Sequence, residues 1–181
     1  MGADAAHHDF PALRTYNHKS VVHETLTLMG YLSAITENVG LATGILILPQ
    51  RQTVLVAKQA AAIDILSKGR LRLGIGIGWN DVEYEALGMN FKDRGQRSEE
   101  QILLLRELWC NELISFDGKW HKVSDAGLNP LPVHRPIPIW FGGHADALMR
   151  RVARIGDGWF PLFEMNDEGK GLIEKLHHYI E

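Results

Sequence analysis

A run of glycines alternates with isoleucines near the centre of the chain, in the segment Leu73-Gly74-Ile75-Gly76-Ile77-Gly78-Trp79. Side chains of a strand alternate between faces, so the three glycines share one face and leave a bare backbone wall. Glycine inside a strand usually marks close approach of a ligand or of another backbone. The alternative is that small residues only relieve crowding inside a barrel. The residues expected to border a flat or phosphorylated cofactor here are Gly76, Ile77, Gly78 and Trp79.

Two further glycine positions could serve the same purpose. Gly142-Gly143 precedes a helix, where backbone N–H groups and the helix dipole favour a phosphate, and His144 could add a donor. A plain tight turn is the alternative for this pair. Gly44 lies within an apolar run, which suggests a bulge or distorted peptide, or else a packing glycine.

Conventional catalytic groups are sparse. The chain has no serine nucleophile elbow, no His-Glu-x-x-His motif and no spaced acidic pair at a strand end. His18 and His23 precede the first helix and could approach a pocket, although surface histidines are more common. We name no catalytic residue and no metal ligand, and we expect that a cofactor supplies the reactivity if the protein is an enzyme.

Composition narrows the class of protein. The 181 residues are 45% hydrophobic with a formal charge of -3, which fits a single domain over 1–181. The chain has no block of like charges, so neither nucleic acid nor a membrane surface is indicated as a partner. Without a secretory signal or a membrane span, we expect a cytoplasmic protein. The single cysteine, Cys110, excludes an intrachain disulfide, and its position predicts a buried thiol.

The elements that must position these glycines alternate between strands and helices. The first strand is apolar on both faces, as in a parallel sheet covered by helices. Apolar spacing and stop signals predict helices over Val22–Thr36, Thr53–Ser67, Asp81–Leu87, from Ser98 onward, Ala145–Ile155 and Asp167–Glu181. Strands are predicted over Leu41–Leu48, Arg70–Ile77, Ile137–Phe141 and Gly158–Leu162.

Local signals also predict a helix face, a helix cap, a hairpin and an irregular segment. Leu55, Ala62, Ile63 and Leu66 are predicted to face inward from the second helix. A capping box of Ser98 and Gln101 is predicted to open the long helix. A hairpin insertion near 113–124 is predicted on a type I′ turn at Asp117-Gly118, and 1–17 is predicted to be irregular.

Taken in order, five segments resemble the luciferase-like monooxygenase superfamily, most strongly its predicted deazaflavin (F420)-dependent oxidoreductases. Each segment is weak alone, but their order and spacing are specific, and the resemblance covers about 18–162. The segments are Gly40 to Pro49, Leu66 to Trp79, Phe116 to Lys119, Pro136 to Gly143 and Gly156 to Trp159.

The resemblance implies an α/β fold, a partial (β/α) TIM-type barrel with about four of eight parallel β/α units. It implies coenzyme F420 or FMN as cofactor, with F420 preferred, and a small organic substrate. Because an open four-stranded sheet would expose two edges and an apolar face, we expect a homodimer, formed either by helix packing as in the family or by two halves meeting edge to edge. By the same resemblance, Gly44 and Ile45 fall where many members carry a non-proline cis peptide behind the cofactor ring, and Thr43 beside them is expected to border the cofactor. The next segment that lines the cofactor in the family matches Gly76, Gly78 and Trp79. A further segment, which contacts the cofactor tail, matches Gly142, Gly143 and His144.

The chain also departs from the family pattern. The first two strands are absent, with the acidic-histidine pair that often contacts the ring, and so are the last two, which frequently help bind phosphate. The implied function is hydride transfer or monooxygenation. The alternatives are a truncated, inactive fragment or cofactor-binding remnant and, less favoured, a doubly wound nucleotide binder. The latter lacks its Gly-x-Gly-x-x-Gly fingerprint because Trp79 takes the place of the last glycine.

Overall fold

A computed structural model describes residues 19–161 and 166–181; the predicted irregular segment 1–17, His18 and Leu162 lie outside them. None of the helices in these segments is both long and apolar enough to span a membrane. The elements are, in chain order, α1 (Thr25–Ile35), β1 (Leu41–Ala42), β2 (Leu46–Ile47), α2 (Thr53–Leu66), β3 (Leu71–Gly76), α3 (Asp81–Ala86), α4 (Arg94–Cys110), β4 (Ile114–Asp117), β5 (Lys122–Ala126), β6 (Ile139–Gly142), α5 (Asp146–Ile155), β7 (Gly158–Phe160) and α6 (Asp167–Ile180).

The main sheet is a curled half-barrel of parallel strands. Its order is β1-β3-β6-β7, and β2 pairs with β3 further along the same side as β1. On β3, Leu71, Leu73 and Ile75 are buried against the helices, so Gly74 and Gly76 face the concave interior of the half-barrel. The predicted α/β class and partial barrel are confirmed.

The first predicted strand is divided in two. Ala42 pairs with Arg72 and Leu46 pairs with Ile75, so the chain advances four residues on this strand against three on β3. One extra residue is the defining feature of a β-bulge. The Gly44–Ile45 peptide inside it is cis. The predicted bulge and the cis peptide expected from the resemblance are therefore both confirmed.

The inward face of α2 differs from the prediction. Ile63 is buried as expected, but Leu55 is 51% exposed and Leu66 is 64% exposed. Ala62 is exposed as well. Small side chains allow the helix to approach the sheet closely, and this spacing decides the face more than residue size does. The buried apolar residues of the helix are Val56, Ala57, Ala60, Ala61 and Ile63.

The long helix α4 begins one turn before the predicted capping box. Ser98 lies inside the helix and donates its hydroxyl to Gly95 O at 3.1 Å. Gln101 is buried, and its Nε2 donates to Leu48 O, to Arg51 O and to Thr53 Oγ1 at 2.9–3.3 Å. The capping box is therefore wrong, because Gln101 has better partners in the loop that follows β2.

The hairpin is confirmed as β4 and β5, but its turn is wrong. Asp117 pairs with Lys122, which leaves a four-residue loop, 118–121, in place of the two-residue type I′ turn. The carboxylate of Glu100 on α4 accepts hydrogen bonds from the backbone N–H groups of Lys119, Trp120 and His121 at 2.7–2.9 Å. Its Oε1 also lies 2.8 Å from Nδ1 of His121. This carboxylate, supplied by another element, organises the loop.

Cys110 is exposed, so its predicted burial is wrong. Its neighbour Trp109 is fully buried and donates Nε1–H to Ala57 O at 3.0 Å. Consecutive residues of a helix point in different directions, so Trp109 is buried while Cys110 faces outward.

Replacing Glu100 with Gln is expected to lower the free energy of unfolding by about 2 kcal/mol, since charge-assisted hydrogen bonds are lost. Burial alone would raise the pKa of Glu100, but hydrogen bonds from the His121 ring and from the loop N–H groups outweigh it and lower that pKa. The stabilisation that the Glu100 carboxylate gives the folded state should be complete above the pKa of Glu in the unfolded chain, about 4.3. It should disappear as the pH falls through the lowered pKa of Glu100 in the folded state.

Urea unfolding of Glu100→Gln at several pH values checks this expectation. Glu85→Gln, at an exposed position on α3, is the control and should change stability little. Equal unfolding free energies for wild type and Glu100→Gln at neutral pH would contradict the role given to the carboxylate.

Candidate functional site

The predicted cofactor-binding segments meet at one edge of the sheet. Ile47 pairs with Gly76 across β2 and β3, and Gly142 pairs with Phe160 across β6 and β7. Because the strands are parallel, their carboxyl ends share this edge, where parallel folds place their ligands. The fold therefore brings three separate glycine segments of the sequence together.

Ile45 covers the glycine wall of the half-barrel. A Cβ added at Gly142 would lie 2.7 Å from Ile45 Cγ2, and one added at Gly76 would overlap Ile45 Cδ1. The half-buried Ile45 side chain thus lies on both glycines. This geometry favours the crowding alternative for Gly76, because the space that this glycine leaves is filled by protein. The same side chain fills the space at Gly142.

Gly74 leaves room for the backbone of the bulged strand at Thr43. A Cβ here would overlap the carbonyl oxygen of Thr43 and would lie 2.8 Å from Phe160 Cε2. Thr43 is buried, and its hydroxyl donates to Gly74 O at 2.6 Å. The bulged strand is therefore held tightly against β3. By contrast, a Cβ at Gly44 would meet no atom within 4 Å, so space remains open in front of the bulge.

Two aromatic side chains extend the same face. The rings of Trp140 and Phe160 lie 4.8 Å apart between centroids and are tilted by 44°. Both are half-buried, and a Cβ at Gly158 would collide with the Trp140 ring. We call Ile45, Trp140 and Phe160 the interior platform. Neither ring is among the site residues predicted from the sequence, although strand alternation places Trp140 on the face of Gly142.

Polar side chains fix the turn after β3. The Tyr84 hydroxyl donates to Ile77 O at 2.5 Å, and burial raises the pKa of Tyr84 to about 12. Asn80 Nδ2 donates to Glu83 Oε1 at 3.3 Å, and Gln50 Nε2 donates to Glu83 Oε2 at 3.0 Å. These bonds join the loop after β2 to the loop after β3.

Between these anchors, Gly78 and Trp79 complete the carboxyl end of β3. Gly78 has a φ of +68°, in the left-handed region that favours glycine. Trp79 is half-buried beside it.

The end of β6 is less open than its sequence suggests. Gly143 has a φ of +121°. Its N–H donates to Phe160 O at 3.3 Å, and its carbonyl accepts from Trp159 Nε1 at 2.7 Å. His144 is exposed. A phosphate at this position would have to compete for the Gly143 N–H.

The remaining histidines of interest are exposed, and Glu24, the neighbour of His23, pairs with Arg51 in the loop after β2. His23 is exposed before α1, and the His177-His178 pair is exposed near the end of α6. In the parts of the chain that the structure describes, no three His, Cys, Asp or Glu side chains are grouped to hold a metal ion.

Comparison with known sequences gives a family and two informative relatives. Residues 5–180 match the family described as luciferase-like monooxygenase. An uncharacterized protein of Mycobacterium tuberculosis is 39% identical over 136 residues, which cover 75% of this chain and 46% of that protein. An FMNH2-dependent dimethylsulfone monooxygenase of Pseudomonas putida is 34% identical over 142 residues, 76% of this chain and 39% of that protein.

Comparison with solved structures supports the fold. The coenzyme F420-dependent tetrahydromethanopterin reductase of Methanopyrus kandleri superposes with a TM-score of 0.76 at 16% identity, over 87% of this chain and 49% of that one. The chain thus spans about half the length, or less, of the proteins that it matches.

Gly76→Ala tests the packing of Ile45. We expect a loss of about 1–3 kcal/mol in the free energy of unfolding, because the new methyl group overpacks against Ile45. The Gly76→Ala, Ile45→Ala double variant should recover part of that loss relative to the sum of the single changes, with a coupling energy of about 1 kcal/mol measured by denaturant unfolding.

Gly30→Ala is the matched control, since a Cβ there meets no atom within 4 Å. It should be neutral or stabilising, as helix propensity predicts, and should show no coupling to Ile45→Ala. Additive effects of Gly76→Ala and Ile45→Ala would mean that Ile45 does not occupy the space above Gly76.

Proposed function

Because this chain belongs to the luciferase-like monooxygenase family, we propose that it forms the central part of a flavin- or deazaflavin-dependent oxidoreductase. The cofactor lies at the carboxyl ends of β2, β3 and β6, and the substrate is a small organic molecule. The observation that carries the proposal is the interior platform, an apolar, half-buried face formed by Ile45, Trp140 and Phe160 at this edge.

The residues present fit a planar ring. Stacking on tilted aromatic rings and packing against a branched aliphatic side chain are the usual contacts of a flat heterocycle. Open space in front of Gly44 adds room beside the platform. The residues proposed to surround the cofactor are those predicted from the sequence, Thr43, Gly44, Ile45, Gly76, Ile77, Gly78, Trp79, Gly142, Gly143 and His144, with Trp140 and Phe160 added. Gly76 and Gly142 contribute indirectly, by leaving room for the side chain of Ile45 that covers them.

The cofactor, when bound, supplies hydride transfer or, as a reduced flavin, oxygen activation. The protein's part is to orient the ring and to exclude water from one of its faces, which the platform does through apolar contact. We assign no acid or base to the chain. The two named proteins differ in cofactor, FMNH2 in the Pseudomonas putida enzyme and F420 in the Methanopyrus kandleri enzyme. Of the two cofactors we propose F420 as the preferred one, because the sequence resembles the F420-dependent type most strongly. We also propose that the protein is cytoplasmic, as expected from its sequence.

Titration with FMN and with F420, followed by cofactor fluorescence, tests the proposal. We expect saturable binding of at least one of them by the wild type. Trp140→Ala should weaken that binding about 5- to 10-fold, because a ring contact worth about 1 kcal/mol or more is lost. Leu113→Ala, which removes an exposed apolar side chain just before β4, is the control and should leave the affinity unchanged.

A folded wild-type protein that binds neither cofactor would contradict the proposal and favour the alternative, a remnant of the family without its chemistry. Equal affinities of wild type and Trp140→Ala would not affect the family assignment, but they would show that the interior platform does not contact the cofactor.

We further propose that the chain forms a homodimer. Within residues 19–161 and 166–181, the parallel half-barrel has two strand edges without a neighbouring strand, at β1/β2 and at β7. Its outer helices also expose large apolar side chains, since Tyr31 is 63%, Ile35 59% and Leu66 64% exposed. Exposed apolar patches mark interaction surfaces. These residues favour pairing through α1 and α2 over an edge-to-edge arrangement of two half-barrels.

Light scattering should give about twice the 20.3 kDa chain mass for the wild type. Leu66→Glu should shift the mass towards one chain, because a carboxylate opposes burial in an apolar interface. Lys170→Glu, on the exposed side of α6, introduces the same carboxylate and should not change the mass. A wild-type monomer that does not bind an apolar-surface dye would contradict the dimer, and an unchanged dimer for Leu66→Glu would favour the edge-to-edge arrangement.

A further inference from the structure

Arg94 is held at the carboxyl end of β3, beside Gly78. Its Nε donates to Gly78 O at 3.3 Å, and its Nη1 donates to Phe91 O at 2.8 Å. The guanidinium carbon lies 3.7 Å from the centre of the Phe91 ring, within the range of a cation–π contact. The Phe91 ring in turn packs edge-on against Tyr84, with 5.3 Å between centroids. The half-buried guanidinium therefore has a fixed position and orientation.

The charge of Arg94 has no counter-ion within residues 19–161 and 166–181. The neighbouring acidic side chains are engaged elsewhere. Asp93 lies 3.0 Å from Arg97 Nη1 and accepts from Trp120 Nε1 at 3.0 Å. Glu83 accepts from two carboxamides. A partly buried cation without a counter-ion is costly, so an anion at this position would be stabilising.

The donors of Arg94 are also incompletely used. A guanidinium has five N–H donors, and Arg94 directs two nitrogens to backbone carbonyls, which leaves Nη2 without a hydrogen bond to the described residues. Arg70 gives the contrast, because its Nε, Nη1 and Nη2 all donate, among others to Ser67 O, Val39 O and Thr36 O. All three guanidinium nitrogens of Arg70 therefore donate to protein acceptors, whereas Nη2 of Arg94 does not donate to any of the described residues.

We propose that Arg94 binds the phosphate group on the side chain of the cofactor. The proposal rests on the proposed function and names a contact within that site. FMN carries a phosphomonoester and F420 a phosphodiester, and the planar guanidinium fork suits phosphate oxygens. Gly78, whose carbonyl orients Arg94, belongs to the predicted cofactor wall. The other expected phosphate position, at Gly143, has no cation in its hydrogen bonds and has its N–H donated to Phe160 O.

FMN and riboflavin differ only in the phosphate, so the ratio of their dissociation constants isolates its contribution. Flavin fluorescence titrations compare wild type, Arg94→Gln, Arg94→Lys and the control Arg154→Gln, which alters an exposed arginine paired with Glu99. F420 and the deazaflavin without its phosphodiester form a second pair. Circular dichroism first verifies that each variant is folded.

We expect the wild type to bind FMN more tightly than riboflavin. Arg94→Gln should weaken FMN binding about 10- to 100-fold and leave riboflavin binding unchanged, as the loss of a charged hydrogen bond predicts. Arg94→Lys keeps the positive charge but loses the planar guanidinium. Its affinity for FMN should therefore lie between those of the wild type and Arg94→Gln. Arg154→Gln should alter neither affinity.

Equal losses for FMN and riboflavin in Arg94→Gln would overturn the proposal, because they would show that Arg94 only supports the turn at Gly78. If Arg94→Gln does not fold, an unaltered FMN-to-riboflavin ratio in Arg94→Lys overturns it equally. A wild type that binds both flavins alike overturns the phosphate contact but not the proposed function. A wild type that binds no flavin and no deazaflavin overturns both.

Discussion

The bulged first strand can lie against β3 and β6 only because glycines stand beneath it. Gly74 leaves room for the carbonyl oxygen of Thr43, and Gly76 and Gly142 leave room for the side chain of Ile45. Protein interiors are packed closely enough that a single added methyl group at such a position is felt. The position of Ile45, and with it the interior platform, therefore depends on the absence of three Cβ atoms on neighbouring strands.

The strand ends above this contact are held by polar side chains from the helices. Gln101 donates to the loop after β2, Tyr84 donates to the carbonyl of Ile77, and Glu83 joins Gln50 to Asn80. Buried polar groups of this kind need partners, and satisfied networks make an arrangement rigid. The sheet thus provides the apolar surface, while α3 and α4 fix the loops that border it.

Apolar and charged parts of the proposed site come from different elements. The platform on the strands offers contact to a ring, and Arg94 at the start of α4 offers a positive charge beside the end of β3. A phosphorylated planar cofactor has the same two parts. Each fits a surface that the fold has already ordered, so binding would require little further ordering of the protein.

The sequence by itself determined the parallel α/β class, the hairpin and the bulge at Gly44, because apolar runs, glycine positions and helix stops are local signals. The partial barrel followed from the resemblance of five segments, in order, to a known family. Only the tertiary structure decided what those signals serve. It placed Ile45 over Gly76, turned Leu55 outward and committed Gln101 to the loop after β2. It also left Arg94 without a counter-ion among the described residues. Each of these outcomes depends on contacts between residues distant in the chain, which no local pattern encodes.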